Sequence, residues 1–331
     1  MMLLPEFELH RPRSLAEAVL LAANNSGHAD FLGGGTDLLC NYKWGVNAQP
    51  HVISIGRLPE LAGIERRADG SWRLGAGVSL YQLESHALLA AAFPGLHEAV
   101  EKVATPLIRR TATLGGNLMQ DARCHFFNQS HFWRNSLGYC LKADGTLCHV
   151  IPQKDICYAT YHGDVAPVLM ALDASVRLVS STGERTLTLH KFFGGEGRVK
   201  HCKRPDEIAV EVIIPSGSEA LRSGYAKLRY RDAFDFPALG IAAGLKLDAE
   251  GRIEILNIAI TAVRQHPYRC DTITAPFIGK TPTSALWHEL CEALKDDARP
   301  VKSLSTPPPD YRKKMVAVYG RRLLERLAPP Q

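Results

Sequence analysis

Three observations predict an α+β chain. A β-α-β segment opens it, short strands and helices mix through the middle, and the last third reads as an antiparallel meander followed by two helices. At 331 residues there is length for two or three domains, each with its own core.

The first helix is marked by Ser14-Leu15-Ala16-Glu17, a capping box with Ser14 as N-cap and Glu17 three residues on. Leu15, Ala18, Val19 and Ala22 follow helical spacing, and Asn24-Asn25-Ser26-Gly27 ends the helix. Ala29 to Leu32 reads as a strand. Thr36 is placed to cap a second helix through Lys43, with Gly45 as its stop, and His51 to Ile55 is a strand. In the middle, Trp72 to Ala76 reads as a strand, with helices over Leu80 to Ala92, Gly95 to Ala104 and Ala166 to Leu172. Val176 to Val179, Arg185 to Leu189 and Ile208 to Ile214 read as strands. The meander comprises Tyr225 to Arg231, Ala238 to Leu247 and Arg252 to Ala262, with Asp248-Ala249-Glu250-Gly251 turning between the last two. Helices over Ser284 to Lys295 and Asp310 to Leu327 flank a Pro-rich joint at Thr306 to Pro309. On the last helix, Tyr311, Met315, Tyr319 and Leu323 are expected to pack inward.

Apolar content of 46% and charged content of 22% are those of an ordinary globular protein. The net charge of +5 is modest, and tight basic clusters occur mainly near the C-terminus, so nucleic-acid binding is not expected. The N-terminus lacks the pattern of a signal peptide, and no apolar run approaches the ~18 residues of a membrane span. A cytoplasmic chain with reduced thiols is therefore expected.

Two sets of residues carry chemistry. Phe31-Leu32-Gly33-Gly34-Gly35-Thr36-Asp37-Leu38 puts three glycines between a strand and a helix start, and Thr113-Leu114-Gly115-Gly116-Asn117 is a second such turn. Glycines let backbone N–H groups approach an anion closely. Neither turn is a GxGxxG fingerprint or a P-loop, and each taken alone is equally a plain tight turn.

The second set is Cys124, Cys140, Cys148 and Cys157, spaced Cys-x15-Cys-x7-Cys-x8-Cys. Clustered thiols in a reducing compartment favour a metal over two disulfides. Zinc favours close CxxC pairs, absent here, whereas a [4Fe–4S] cluster tolerates scattered spacing; spacing alone leaves both open. Cys291 reads as a core residue, and Cys40, Cys202 and Cys270 have no partner in spacing.

Gly33-Gly34-Gly35-Thr36-Asp37-Leu38-Leu39, then Thr113 to Leu118, then Gly163-Asp164-Val165-Ala166-Pro167, resemble the FAD-binding subunits of the molybdenum hydroxylase (xanthine dehydrogenase/carbon monoxide dehydrogenase) family. The resemblance implies a two-part FAD-binding region of the vanillyl-alcohol-oxidase (PCMH) type plus a C-terminal α+β domain with an antiparallel sheet. It places the parts at 1–56, 57–217 and 218–331, with an iron–sulfur insertion at about 121–160. It implies FAD contacts from Phe31, Leu32, Gly33, Gly34, Gly35, Thr36, Asp37 and Leu38 around the pyrophosphate, with Asp37 towards the ribityl end. Ala112, Thr113, Leu114, Gly115, Gly116 and Asn117 would bind the other side, with Val103 touching through its backbone. Asp164 would hydrogen-bond the flavin chain, and Lys227 would lie beside the cofactor. As plain structure, Asp164 is a helix N-cap and Lys227 a surface strand lysine.

In that family the acidic residue follows the second glycine turn closely. Here Asn117 and Asp164 are 47 positions apart. An insertion of roughly 38 residues is too long to stay ordered without its own core or staple, and four thiolates on one metal centre would supply one. The segments around its cysteines resemble the insert of a reductive branch of the family acting on an aromatic acyl-CoA. That implies a [4Fe–4S] cluster on Cys124, Cys140, Cys148 and Cys157, with reduced ferredoxin as donor. It implies partner subunits holding a molybdopterin-type molybdenum cofactor and two [2Fe–2S] clusters, in a dimer of heterotrimers, and no catalytic residue in this chain. His125, His131, His149 and His162 are expected beside the metal rather than on it, with His125 the one expected to touch a cofactor.

Overall fold

A computed structural model describes residues 3–303 and 306–330. Met1 and Met2, where the segment read for a signal begins, lie outside them.

The opening segment is a three-stranded parallel sheet of β1 (Glu8–His10), β2 (Ala29–Leu32) and β3 (His51–Ser54), ordered β1-β3-β2. α1 (Leu15–Asn24) starts where the Ser14 hydroxyl accepts the Glu17 N–H. The Glu17 carboxylate reaches one residue further than a capping box requires, accepting the Arg13 N–H at 2.7 Å. Ala18, Val19 and Ala22 bury against Ile53, Ile208 and Val210. α2 (Leu38–Lys43) begins at Asp37 rather than Thr36, and no side chain caps it. The Asp37 carboxylate is turned instead to the Asp121 N–H and Arg123.

The middle sheet is antiparallel. β4 (Ile64–Arg66) and β5 (Trp72–Gly75) precede five short helices, α3 (Leu80–Glu84), α4 (Ala87–Ala92), α5 (Pro94–Glu101), α6 (Pro106–Arg109) and α7 (Leu114–Met119). The single helix expected over Leu80 to Ala92 is two, because the His86 ring accepts the Leu89 N–H at 3.1 Å and restarts the chain there. After α8 (His131–Ser136) and α9 (Val165–Ala171) come β6 (Ser175–Ser180), β7 (Gly183–Thr188), α10 (Leu189–Phe192) and β8 (Ile208–Ile214), giving the sheet order β4-β5-β8-β6-β7.

The last sheet is the expected meander with one further short strand. It runs β12-β11-β10-β9, from β9 (Arg222–Leu228), β10 (Leu239–Leu247), β11 (Ile253–Thr261) and β12 (Tyr268–Arg269). One face, with Ala242 and Ala259, packs on α9; the other, with Ile241, Leu245 and Ile260, packs on helices. Those helices are α12 (Ser284–Asp297) and α13 (Pro309–Leu327), reached after the short α11 (Asp271–Thr274). Every residue of α9 is buried, and its carbonyl end is satisfied by Asn257 on Ala171 and Ser218 on Leu172, at 2.9 and 3.0 Å. α9 thus joins the middle sheet to the last one.

The inward face of α13 is turned by about one residue from the expected stripe. Arg312, Val316, Gly320, Leu323 and Leu324 are buried; of the expected stripe, Leu323 is buried, Met315 and Tyr319 are half-buried against the same core, and Tyr311 is exposed. The Arg312 guanidinium donates to the carbonyls of Pro307 and Ala262, both at 3.1 Å, and of Val301. A cation that satisfies buried carbonyls can sit inside where sequence reading puts it on the surface. Among the described residues, no helix is long and apolar enough to cross a membrane.

Candidate flavin and metal sites

The two glycine turns, 77 residues apart between Gly34 and Thr111, are in direct backbone contact. A Cβ on Gly34 would stand 1.9 Å from the Thr111 carbonyl oxygen, and one on Gly33 would stand 2.7 Å from Thr113 Oγ1. Only glycine permits that approach. Phe31 and Leu32 end β2, and Thr36 and Asp37 lead into Leu38 at the start of α2. On the other side Ala112 and Thr113 precede α7, where Thr113 Oγ1 accepts the Gly116 N–H at 3.1 Å. Tyr161 is fully buried beneath this turn and donates to the carbonyls of Asn117 and Leu118 at 3.1 and 3.2 Å. Asn117 Oδ1 is buried with no partner among the described residues. A buried acceptor left open in a cradle of glycines is what a hydrogen-bonding ligand would complete, so the residues present fit a bound FAD.

The Val103 carbonyl accepts from Arg109 at 2.9 Å. Asp164 and Lys227 are brought together, although the sequence separates them by 63 residues. Lys227 is buried, not a surface strand lysine, and its Nζ lies 3.0 Å from Asp164 Oδ1 and 2.8 Å from the Lys102 carbonyl. The Tyr225 hydroxyl donates to the same carboxylate at 2.7 Å. Asp164 occupies the N-cap position of α9 but accepts no helix N–H. Burial pushes its carboxyl up and the Lys227 ammonium down, and the pair opposes both shifts. Sequence reading missed Tyr225 and Tyr161; a tyrosine hydroxyl aimed at a buried partner leaves no spacing signal.

The insert leaves and rejoins the fold through one antiparallel bridge, with Arg123 and Thr160 exchanging two backbone hydrogen bonds of 2.8 Å. Within it all four cysteines line one small cavity, together with Phe126, Phe127 and Lys142. None is in a disulfide; Cys140, Cys148 and Cys157 are buried and Cys124 is half-buried. Burial pushes the Cys124 thiol up to about 11 and the Cys157 thiol up to about 12, against backbone N–H groups that favour each thiolate. Thiols that converge and resist ionisation would be ionised by a bound cation. Thiolates on a single tetrahedral zinc would stand about 3.8 Å apart, given Zn–S of about 2.3 Å. No three of these sulfurs lie within 4.8 Å of one another. Four thiols lining one cavity fit a metal centre held by thiolates.

The insert is anchored by charge. Lys142 Nζ is buried, 2.7 Å from Asp121 and 2.8 Å from the Gly197 carbonyl. Burial alone would raise Asp121, but Lys142 and Lys200 outweigh it and hold the carboxyl low. Arg134 is buried and donates to the Gly45 carbonyl at 2.8 Å. Arg123, next to Cys124, pairs with Asp37 and lies 4.5 Å from the Phe236 ring centroid. Asp37 is thereby the joint between glycine turn and insert. His125 packs its ring against Phe126 and Trp133 in the insert, at 5.7 and 5.8 Å between centroids. The His149 ring meets the Tyr139 carbonyl at 2.5 Å, and His131 meets the Tyr139 hydroxyl at 3.1 Å. His162 donates to the Pro237 carbonyl at 2.8 Å, and burial pushes its imidazole down to about 4.

These features define the class: a two-domain α+β subunit with a glycine-turn site for FAD. Residues 5–217 match the family described as the FAD binding domain in molybdopterin dehydrogenase, and residues 224–327 match the CO dehydrogenase flavoprotein C-terminal domain. The aldehyde oxidoreductase FAD-binding subunit PaoB of Escherichia coli is 31% identical over 81% of this chain and 85% of its own length. The carbon monoxide dehydrogenase medium chain of Hydrogenophaga pseudoflava is 26% identical over 98% and 97%. The solved carbon monoxide dehydrogenase from that organism superposes with a TM-score of 0.80 at 26% identity, covering 98% of each chain. The chain belongs to the FAD-binding medium subunits of the molybdenum hydroxylases, and is an FAD-containing electron-transfer subunit of that family.

Proposed function

We propose that this chain is the electron-input subunit of an enzyme of the 4-hydroxybenzoyl-CoA reductase type. In this reading it carries FAD and a [4Fe–4S] cluster on Cys124, Cys140, Cys148 and Cys157. It takes electrons from reduced ferredoxin and passes them to a [2Fe–2S] small subunit and a molybdenum-bearing large subunit, in a dimer of heterotrimers. The reaction served is reductive dehydroxylation of 4-hydroxybenzoyl-CoA to benzoyl-CoA. When bound, the cluster would supply one-electron steps, and the flavin would bridge them to two-electron chemistry.

The observation that carries this reading is the Arg123–Asp37 pair. It ties the residue beside Cys124 to the residue beside the glycine turn, which supports a cluster and a flavin held as neighbours in one framework. The chain's own residues have distinct tasks. The Gly33-to-Gly35 and Ala112-to-Asn117 turns would hold the FAD, with Val103, Asp164 and Lys227 behind them. Lys142, buried, and Asp121, half-buried, hold the base of the insert. Backbone N–H groups directed at the sulfurs would favour the thiolate form and tune the potential.

The test is metal content per flavin in anaerobically purified chain. About four irons per FAD supports the cluster; zinc in its place overturns it. Turnover of 4-hydroxybenzoyl-CoA by the whole complex with a reduced viologen tests the substrate, and iron without turnover leaves the second reading. That reading is a flavin subunit serving another aromatic substrate, and it is favoured by the range of names among the relatives, from xanthine to nicotinate and caffeine dehydrogenases.

A further inference from the structure

We infer that Glu8, His10 and His51 form a site for a divalent transition-metal ion, separate from the cysteine cavity and independent of the proposed function. β1 and β3 run parallel, with Glu8 opposite His51 and His10 opposite Ile53. Side chains two apart on a strand share a face, so the register puts all three residues on one side of the sheet. One ligand-capable atom from each lies within 4.8 Å of the other two. His10 Nε2 is 3.1 Å from His51 Nδ1, and the Glu8 carboxylate is 3.4 Å from His51 Nδ1 and 3.8 Å from His10 Nδ1.

Two nitrogens on a tetrahedral zinc stand about 3.3 Å apart, given Zn–N of about 2.0–2.1 Å. The observed 3.1 Å is close to that separation. The rings are tilted by 37° and not stacked face to face, so the contact is between nitrogens and not between ring faces. Without a metal, one proton must serve both nitrogens. With one, a single nitrogen of each ring and a carboxylate oxygen are used together, the Glu8 carboxylate turning from the His10 Nδ1 it now meets at 3.8 Å. Two imidazoles and a carboxylate suit zinc and its first-row neighbours, and three protein ligands leave a position for water. The His10 and His51 side chains are only 15% and 27% exposed, while Glu8 at 66% leaves a way in. A bound ion would tie the three-residue edge strand β1 to the central strand β3.

Cobalt is the probe that separates this site from the thiols. The untagged chain, holding its flavin and iron, is titrated with Co²⁺ and then with Zn²⁺ as competitor. The expected result is a single Co²⁺ with d–d absorption, no thiolate-to-cobalt charge-transfer band, and displacement by Zn²⁺. Loss of even an outer-shell partner typically costs about 10-fold in metal affinity, so His10→Ala and His51→Ala should each weaken binding by at least about that factor. Glu8→Gln, on the exposed side chain, should weaken it without disturbing the fold. Zn²⁺ should raise the thermal midpoint of the natural chain and not of His51→Ala. No Co²⁺ uptake, a charge-transfer band, or equal affinity in all variants would overturn the assignment.

Discussion

The glycine turns and the cysteine insert are neighbours held in opposite ways. The turns meet backbone to backbone, and the Gly34–Thr111 approach leaves no room for even a methyl group. The insert touches the rest of the chain through the Arg123–Asp37 pair and through hydrogen bonds such as Lys142 to the Gly197 carbonyl and Arg134 to the Gly45 carbonyl, and one bridge closes its neck. Its apolar contacts are small, Phe127 and Cys140 with Val46 of the segment after α2, and Ala122 with Cys157 and Ala159, so the cysteines are themselves part of its core. The turns owe their shape to backbone contact alone, whereas in the proposed reading the insert would depend on the metal centre its thiols hold.

The sharpest way to break the comparison is Cys148→Ser. The expected outcome is loss of iron and fast proteolysis between about residues 121 and 160, with flavin content kept. Iron-to-flavin ratio and limited trypsin digestion measure it, and parallel loss of flavin would show that the two regions are one unit. Gly34→Ala is the converse. Its methyl must displace the Thr111 carbonyl, so flavin should be lost while the purified chain retains iron. A variant that binds FAD normally would show the turn to be more pliant than its packing implies.

The same contrast sets what could be read from the sequence. The strands of the meander, α1 and the glycine turns were legible, because apolar spacing, caps and glycines act over a few residues. α2 was placed one residue early, since the side chain that decides its start, Asp37, is engaged by Arg123 from the insert. The inward stripe of α13 is legible at Met315, Tyr319 and Leu323 and fails at Tyr311, because Arg312 beside it is buried against the carbonyls of Pro307, Ala262 and Val301. Lys227 and Tyr225 could not be joined to Asp164 by any local rule, since the contact joins β9 to the start of α9 across more than 60 residues. The four cysteines were legible as a set, but their shared cavity and wide sulfur spacing belong to the fold.

A smaller effect tests the seam where the insert rejoins the fold. His162 is held neutral, with its imidazole pushed down to about 4 from an ordinary 6.5. The unfolded chain therefore binds the extra proton first as pH falls. The stabilisation is present above about pH 6.5 and is lost as pH drops toward 4. Between about pH 7 and pH 5 the natural chain should lose about 2 kcal/mol more than His162→Asn, whose amide keeps a donor for Pro237 but does not titrate. Urea midpoints at both pH values measure this, and taking the difference separates His162 from His201, whose imidazole burial pushes down to about 3. Equal losses in both chains would mean that His162 is not the group that titrates.

The smallest expected effect bears most directly on the joint. Arg123 and Asp37 are each about a quarter exposed, so Arg123→Gln should cost only about 1 kcal/mol of global stability. Its consequence should be local, because the pair couples glycine turn to insert. In a double-mutant cycle, Arg123→Gln and Asp37→Asn should be non-additive in flavin affinity by more than about 0.5 kcal/mol, as for residues in direct contact. Additive effects would mean that the turn and the insert are neighbours without being coupled, and that the cysteine centre can be altered without the flavin site sensing it.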